Sequence, residues 1–315
     1  MTWQPHARPA DVTTVAVVGA GLIGAGWTAY FLARGLDVRV YDPSIAAAGS
    51  VKGQVLAMWP AMVAAGIAKS AGLREPIVCR SLEDACSGAG FVQENGPERV
   101  ELKRALMAQI DAALPPGVVI ASSSSSLLPS NYQGDAATPA RILAAHPFNP
   151  PSLVPLVEIA GGALTAPEAI DWTIDFFRRI GKAPVKVRRE VPGYIANRMA
   201  AALYREAVHL VASGVASVAD VDAAIVNGPG LRWAVMGPHM LYHLGGGPGG
   251  YAHYLDHLGP AQEARWATLE TAPLDATLKV ELVTQLQQEL TTLAGRDPAM
   301  IRDEGITSIL AMRRR

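Results

Sequence analysis

Short apolar runs alternate with longer helix-forming segments over residues 1–190 of the chain. The first of them, Val15–Val18, is continuously apolar, which is typical of a strand buried on both faces of a parallel sheet. The runs fall at Val15–Val18, Asp37–Tyr41, Pro76–Cys79, Phe91–Glu94, Val118–Ala121, Ile142–Ala145, Val154–Ile159 and Val185–Val187. The helices predicted between them are Leu22–Arg34, Ser44–Ala65 with a kink or break at Pro60, Ser81–Cys86, Glu98–Leu114 and Pro167–Ile180. This alternation predicts an α/β fold with a doubly wound, mostly parallel sheet.

Residues 191–315 show a helical pattern only. Pro192–Ala212 predicts one long helix whose apolar face carries Ile195, Met199, Leu203, Ala207 and Leu210. Further helices are predicted after the capping residue Ser217, over Leu278–Leu293 and over Asp297–Arg314, and a Gly/Pro-rich passage, residues 228–250, lies between them. The chain is therefore expected to have a sheet domain, 1–190, and an all-helical domain for substrate binding and dimerisation, 191–315. The long apolar helix makes a homodimer the expected assembly.

Composition and charge limit the partners and the cellular compartment that are expected for this protein. Charged residues make up 17% of the 315 residues and the net charge is −1, without a basic stripe, so a nucleic acid partner is not expected. Cys79 and Cys86 lack metal or redox spacing, and no secretory leader pattern is present, so a cytoplasmic protein is expected. Thr13–Ala33 carries no formal charge and on hydropathy alone resembles a membrane span; the glycine pattern inside it favours a nucleotide-binding turn, and no membrane contact is expected.

Three glycines follow the first predicted strand at G-x-G-x-x-G spacing. Gly19 permits a tight turn, Gly21 lets a pyrophosphate approach the backbone, and Gly24 allows close packing of helix on strand. Asp42, at the end of the second strand, would bind the adenosine ribose hydroxyls and repel a 2′-phosphate, which selects NAD over NADP. The pattern predicts a Rossmann-type NAD site. Its expected contact residues are Gly19, Ala20, Gly21, Leu22, Ile23, Gly24 and Asp42.

His146 is the leading candidate for proton transfer, because imidazole exchanges protons near neutral pH. A short turn between two strands would bring Glu158 beside it to fix the tautomer. The alternative is a buried histidine that satisfies a turn, with Glu158 on the surface. The five serines Ser122–Ser126 follow another strand, either as a polar loop or as donors to a substrate oxygen, and their positions alone do not distinguish them.

Two other chemistries receive less support from the sequence. A Ser–His hydrolase would need a G-x-S-x-G elbow, which is missing. No metal is expected, because His239, His243, His253 and His257 have mixed spacings and no HExxH motif occurs.

The chain contains the runs SSSSSLLPS (Ser122–Ser130), HPFNPP (His146–Pro151), LVPLVE (Leu153–Glu158) and PGYIANR (Pro192–Arg198). These runs resemble the 3-hydroxyacyl-CoA dehydrogenase superfamily. The pairing of the serine run with LLPS, and of HPFNPP with VPLVE, resembles its branch that acts on free hydroxy acids. Within that branch, GPGLRWAVMG (Gly228–Gly237), YHLGGG (Tyr242–Gly247) and MWPAM (Met58–Met62) are most similar to the carnitine dehydrogenases, and the L-gulonate 3-dehydrogenases are the next candidates.

The resemblance implies a role for residues at matching positions. It implies that His146 is the catalytic base and Glu158 its partner, that Ser125 and Asn197 hold the substrate oxygen, and that Glu94 and Arg99 line the NAD site. Arg99 stands where the acyl-CoA enzymes have lysine.

The expected activity is NAD-dependent oxidation of the 3-hydroxyl of a small free hydroxy acid, with a sugar-acid or hydroxyacyl-CoA enzyme as alternatives. A crystallin-like structural protein that retains NAD is the alternative outside the enzymes. Arg232, in a glycine-rich turn, is expected to bind the substrate carboxylate, unless it satisfies carbonyls at a helix end. Trp233, Tyr242 and Trp266 are candidates either for the core or for a trimethylammonium group.

Overall fold

The computed structural model describes residues 3–313 and contains one eight-stranded sheet of order β3-β2-β1-β4-β5-β6-β7-β8. Its strands are β1 Thr14–Val18, β2 Asp37–Tyr41, β3 Ile77–Val78, β4 Phe91–Glu94, β5 Val119–Ser122, β6 Ile142–Pro147, β7 Leu156–Gly161 and β8 Ala183–Val187. All neighbouring strands run parallel except β6 and β7, which are antiparallel. The predicted α/β class with a mostly parallel sheet is confirmed.

Six helices connect and cover the strands. They are α1 Leu22–Ala33, α2 Ile45–Ala64, α3 Leu82–Cys86, α4 Val100–Ala112, α5 Pro129–Tyr132 and α6 Pro167–Arg179. Ser44 and Ser81 cap α2 and α3, where their hydroxyls accept hydrogen bonds from Ala47 N and Asp84 N. Pro60 does not divide α2, so the alternative of a break there is wrong.

The sheet is buried on both faces, as a parallel sheet requires. On one face an aromatic cluster packs against β4: the ring of Phe91 lies 4.4 Å from that of Phe176, and Trp27 stacks on Phe31 at 5.2 Å. On the other face Met107 and Ile110 of α4 are fully buried. Thr13–Ala33, the uncharged run, is divided between β1 and α1. No helix within residues 3–313 is long and apolar enough to cross a membrane.

The rest of the chain is helical: α7 Ala196–Ala212, α8 Val218–Asn227, α9 Pro229–Trp233, α10 Pro238–Gly245, α11 Gly250–Trp266, α12 Ala276–Thr291 and α13 Pro298–Met312. The Gly/Pro-rich passage, for which the sequence predicted no element, contains α9 and α10. Pro229 and Pro238 each stand in the first turn, where a missing N–H costs no hydrogen bond. The predicted end of α13, Arg314, lies outside the described residues.

The chain divides into two compact units. The sheet unit comprises the described residues up to Arg198 together with the segment that begins at Arg302, and the helical unit is Met199–Ile301. Ile306 and Leu310 of the last segment pack against the core of the sheet unit.

Candidate active site

The carboxyl ends of β4, β5 and β6 open into a cavity of about 420 Å³ in the sheet unit. Parallel strands deliver their C-terminal residues to the same edge of a sheet, where ligands of such folds bind. The polar side chains that line the cavity are those of Asn95, Glu98, Ser123, Ser124, Ser125, His146, Asn149 and Asn197. The structure therefore brings together His146, Ser125 and Asn197 of the predicted site.

The antiparallel pairing of β6 and β7 sets His146 directly opposite Glu158. Side chains of directly opposed residues lie on the same face of a sheet, within reach of each other. The two side chains are 7% and 1% exposed, and His146 Nδ1 lies 3.0 Å from Glu158 Oε2. An ionised Glu158 fixes the Nδ1–H tautomer, and Nε2 then remains an acceptor. Nε2 makes no hydrogen bond with the described residues.

The second oxygen of Glu158 is held by the start of α7. Glu158 Oε1 accepts hydrogen bonds from Ile195 N at 2.7 Å and Ala196 N at 2.9 Å. Burial would raise the pKa of Glu158, but the hydrogen bonds from His146 and from these two amides outweigh it and lower the pKa below its usual value. Glu158 is thus a buried carboxylate that is stabilised in its charged form.

A strained turn places those two amides. Gly193 and Tyr194 have φ angles of +79° and +48°, a left-handed conformation that a helix cannot include. The predicted start of the long helix at Pro192 is therefore wrong, and α7 begins at Ala196. The buried ring of Tyr194 lies 5.3 Å from that of His146, so the turn both aligns Glu158 and covers the imidazole.

The structure distinguishes the five serines that sequence alone could not. Four hydroxyls have protein partners: Ser122 Oγ donates to Glu94 Oε2, Ser123 Oγ to Asn95 Oδ1, and Ser124 Oγ and Ser126 Oγ to Glu98 Oε2. Ser125 offers its backbone N–H to Glu98 Oε1, at 2.9 Å, and its hydroxyl makes no hydrogen bond with the described residues. Ser125 therefore has the one hydroxyl of the run that is available to a ligand in the cavity.

The glycine turn between β1 and α1 fits a pyrophosphate. A Cβ at Gly24 would lie 1.8 Å from the carbonyl oxygen of Gly19. The helix α1 can therefore pack this closely on the turn after β1 only because Gly24 has no Cβ. A Cβ at Gly21, which precedes the first helical residue, would meet no protein atom within 4 Å. The open space above Gly21 and the free amides of the first turn of α1 suit a bound anion.

Asp42 ties the second strand to this turn. Its Oδ2 accepts a hydrogen bond from Ala20 N at 2.7 Å, and its Oδ1 accepts one from Ser44 N at 2.8 Å. Each carboxylate oxygen has a further lone pair, so Asp42 can also accept from ribose hydroxyls.

Glu94 and Arg99 lie at the same strand end but do not line the cavity. The carboxylate of Glu94 is wholly buried and binds Lys103 Nζ at 2.7 and 2.9 Å. Arg99 is an exposed residue that precedes α4. Sequence reasoning missed Glu98, which binds three residues of the serine run and lines the cavity. The sequence signal that could have identified Glu98 is the position of its carboxylate, four residues past the end of β4.

The remaining candidates lie in the helical unit. Arg232 is exposed on α9 and its guanidinium forms no hydrogen bond or ion pair with the described residues. Trp233, Tyr242 and Trp266 are 42%, 42% and 60% exposed, so none of them is a core residue. Among residues 3–313, no group of three or more His, Cys, Asp or Glu side chains could hold a metal ion.

Comparison with known proteins identifies the family of both parts of the chain. Residues 14–191 match the family description "3-hydroxyacyl-CoA dehydrogenase, NAD binding domain", and residues 193–275 match "3-hydroxyacyl-CoA dehydrogenase, C-terminal domain".

Proteins named L-carnitine dehydrogenase are similar over nearly the full length. The one from Streptomyces griseus subsp. griseus is 48% identical over 302 residues, covering 96% of this chain and 90% of that one. The one from Nocardiopsis dassonvillei is 45% identical over 314 residues, covering 100% and 94%.

Among solved structures, an NAD+-dependent dismutase described as 5-formyl-3-hydroxy-2-methylpyridine 4-carboxylic acid 5-dehydrogenase superposes with a TM-score of 0.79. It is 29% identical, and the match covers 96% of this chain and 98% of that one. The fold, the glycine turn and these similarities lead to one conclusion: the chain belongs to the 3-hydroxyacyl-CoA dehydrogenase family and is an NAD-dependent dehydrogenase.

Proposed function

We propose that this enzyme oxidises the 3-hydroxyl of L-carnitine, with His146 as the general base. The observation that carries the proposal is the buried His146–Glu158 pair, which leaves Nε2 as an acceptor in the same cavity as the uncommitted Ser125 hydroxyl. The names of the full-length relatives support L-carnitine as the substrate.

His146 accepts the substrate hydroxyl proton at Nε2 in this proposal. The imidazolium that forms is stabilised by Glu158, whose charged state is already favoured by its hydrogen bonds to the start of α7. Such a base with an orienting carboxylate contributes about 10²- to 10⁴-fold to a rate.

Ser125 and Asn197 hold the reacting oxygen. Both line the cavity beside His146, and both carry donors that would strengthen their hydrogen bonds as the hydroxyl becomes a carbonyl. NAD, when bound, supplies the hydride acceptor. The residues expected to hold it are the glycine turn, Asp42 for the ribose, and Arg99 as the resemblance implies. The resemblance also implies Glu94, which would contribute only its backbone, because its carboxylate is buried against Lys103.

Arg232 is proposed to bind the substrate carboxylate, and the lack of a partner for its guanidinium among residues 3–313 supports this role. A planar guanidinium binds a carboxylate through two parallel hydrogen bonds. A hydroxyacyl-CoA has no carboxylate near the reacting carbon, so Arg232 would select a free hydroxy acid.

The enzyme is proposed to act as a homodimer that assembles through its helices. Ile195, Met199 and Leu203, three positions of the predicted apolar face, are 46%, 60% and 38% exposed in the single chain. Such a row of exposed apolar side chains is typical of a protein interface.

NADH formation over a panel of L-carnitine, L-gulonate, 3-hydroxybutyrate and a hydroxyacyl-CoA tests the proposal. We expect the highest kcat/KM for L-carnitine, a wide preference for NAD over NADP, and a KM that Arg232→Met raises about ten- to a hundredfold. Turnover of the hydroxyacyl-CoA far above every free acid would overturn the substrate assignment. No turnover of any substrate would favour a structural protein that retains NAD.

A further inference from the structure

The sheet unit contains a further cavity, of about 490 Å³, that no part of the proposed reaction uses. It lies beside the amino ends of β2 and β3, whereas the candidate active site lies at the carboxyl ends of β4, β5 and β6, and the two share no residue. Four cationic side chains line this basic cavity: Arg34, Lys69, Arg74 and Arg179. We propose that the basic cavity binds a small molecule that carries phosphate groups, at a site separate from those of NAD and the hydroxy acid.

The charges that line the basic cavity are all positive, since no aspartate or glutamate lines it. Arg74 is the one lining cation with a carboxylate partner among residues 3–313, because its Nη1 lies 3.1 Å from Asp37 Oδ1. The charge of Arg179 reaches Asp11, but that carboxylate is already paired with Arg8 at 2.7 Å. Three of the four lining cations are therefore left to neutralise a ligand with several negative charges.

Two of these cations stand at the C-terminal ends of α1 and α6, where basic side chains often bind the last carbonyl groups of a helix. The guanidinium groups do not do so here. Arg179 Nη1 donates to Pro9 O at 2.7 Å and to Val12 O at 3.0 Å, before β1, and the Arg34 guanidinium donates to no described residue. A Cβ at Gly181 would lie 2.9 Å from Arg34 Nη2, so this guanidinium packs against the turn that follows α6. Both arginines thus keep N–H donors for a ligand.

The kinds of cation and the size of the cavity indicate a phosphorylated ligand. A guanidinium binds two oxygens of a phosphate through parallel hydrogen bonds, and a lysine adds a point charge. Lys69 lies in the loop between α2 and β3, where Trp59 Nε1 donates to its carbonyl oxygen at 3.2 Å and fixes the backbone. A volume of about 490 Å³ is that of a small-molecule site, and apolar side chains such as Ile67 would contact the organic part of the ligand.

Calorimetric titration of the NADH-saturated enzyme with inorganic pyrophosphate tests the proposal. Bound NADH occupies the glycine turn, which would otherwise bind the same anion. Citrate, whose negative charges are all carboxylates, is the matched probe at the same ionic strength. We expect pyrophosphate to bind at least about fivefold more tightly than citrate, because its phosphate oxygens match the guanidinium donors. Equal or tighter binding of citrate would overturn the assignment of a phosphate site.

Variants locate the binding. Arg34→Gln and Lys69→Gln should each weaken pyrophosphate binding about tenfold, because each removes a charged hydrogen-bond donor. Neither side chain bonds to a described residue, so both variants should keep the parental melting temperature. Arg188→Gln is the matched control, since Arg188 is an exposed arginine of the same unit that does not line the cavity, and it should leave the affinity unchanged. Equal losses in all three variants, or in none, would overturn the proposal, because the anion would then bind the general surface charge or another site.

The phosphate site and the proposed reaction can fail separately. An enzyme that oxidises L-carnitine but shows no heat with millimolar pyrophosphate would overturn the phosphate site and leave the reaction standing. Pyrophosphate binding that Arg34→Gln and Lys69→Gln weaken, in a chain without L-carnitine turnover, would support the phosphate site and contradict the reaction.

Discussion

The sheet unit buries charged side chains together with their partners, whereas the helical unit leaves large apolar side chains exposed. Every buried charged side chain of the described residues lies before Met199, and each has a partner: Glu94 with Lys103, Asp111 with Arg141, Glu158 with His146, and Lys182 with backbone carbonyls. The helical unit buries few side chains and leaves large apolar ones in contact with solvent, among them Leu231, Val235 and Val280 at 63%, 69% and 67% exposure.

We infer from this difference that the sheet unit is complete in a single chain, whereas the helical unit gains a further surface in the proposed dimer. A sheet covered on both faces buries enough apolar surface to fix charged groups in one geometry, which a catalytic site requires. A layer of helices with exposed apolar faces gains stability from a further surface. The completeness of the sheet unit is tested by substitutions of its buried groups, and the need of the helical unit for a further surface is tested by a substitution on α7.

The largest effect is expected from breaking a buried ion pair of the sheet unit. Arg141 is 1% exposed and contacts Asp111 at 2.7 Å, so Arg141→Met leaves a buried carboxylate without its counter-charge. The free energy of unfolding should fall by about 3–5 kcal/mol in urea denaturation. The matched control is Arg104→Met, which breaks a solvent-exposed pair with Asp135 and should cost far less, because solvent screens that pair. Equal losses in the two variants would contradict the contrast between buried and exposed charges.

Removal of the proposed base has the next largest effect. His146→Gln keeps a polar side chain but cannot accept a proton, so kcat should fall by at least about 10²-fold. NADH affinity, measured by fluorescence, should be nearly unchanged. The control His6→Gln alters an exposed histidine and should leave both quantities at parental values. Turnover of His146→Gln near that of the parent would remove His146 from the mechanism.

The sheet and the His146–Glu158 pair were predictable because they depend on local patterns. Apolar runs identify doubly buried strands, and few registers between β6 and β7 keep the apolar residues of both strands buried. The connection itself, residues 148–155, is longer than the predicted short turn. The start of α7 was not predictable to the residue, because Tyr194 adopts a conformation rare for a residue with a side chain and is held there by tertiary packing.

The role of each serine depends on partners that are distant in sequence. Glu98 holds Ser124, Ser125 and Ser126 from 26 to 28 residues away, and no local rule distinguishes Ser125 from its neighbours. The packing of the helical unit was the least predictable part. Its Gly/Pro-rich passage contains two helices, α9 and α10, which the sequence did not predict. The apolar face of α7 predicts an interface but does not identify the partner that covers it.

The exposed face of α7 should determine assembly. Met199→Glu places a charge where an apolar contact is proposed and should weaken dimerisation at least about tenfold in analytical ultracentrifugation, since burial of an unpaired charge is costly. Leu56→Glu is the control: Leu56 is also 60% exposed, but it lies on α2 of the sheet unit, and this substitution should not change the assembly. Dissociation by both variants, or by neither, would contradict an interface formed by α7.

The smallest effect concerns the pH dependence of stability. The folded protein holds the pKa of Glu158 below its ordinary value of 4.5, because the hydrogen bonds from His146, Ala196 and Ile195 outweigh burial. Between the folded pKa and 4.5 the unfolded chain binds more protons at this residue, so Glu158 stabilises the fold above that range and loses its contribution as the pH falls through it. In Glu158→Gln this contribution is absent. The difference in free energy of unfolding between the parent and Glu158→Gln should therefore be largest near neutral pH and shrink in acid, in urea titrations at a series of pH values. A difference that stays constant with pH would show that the turn at Gly193 and Tyr194 does not hold Glu158 in its charged form.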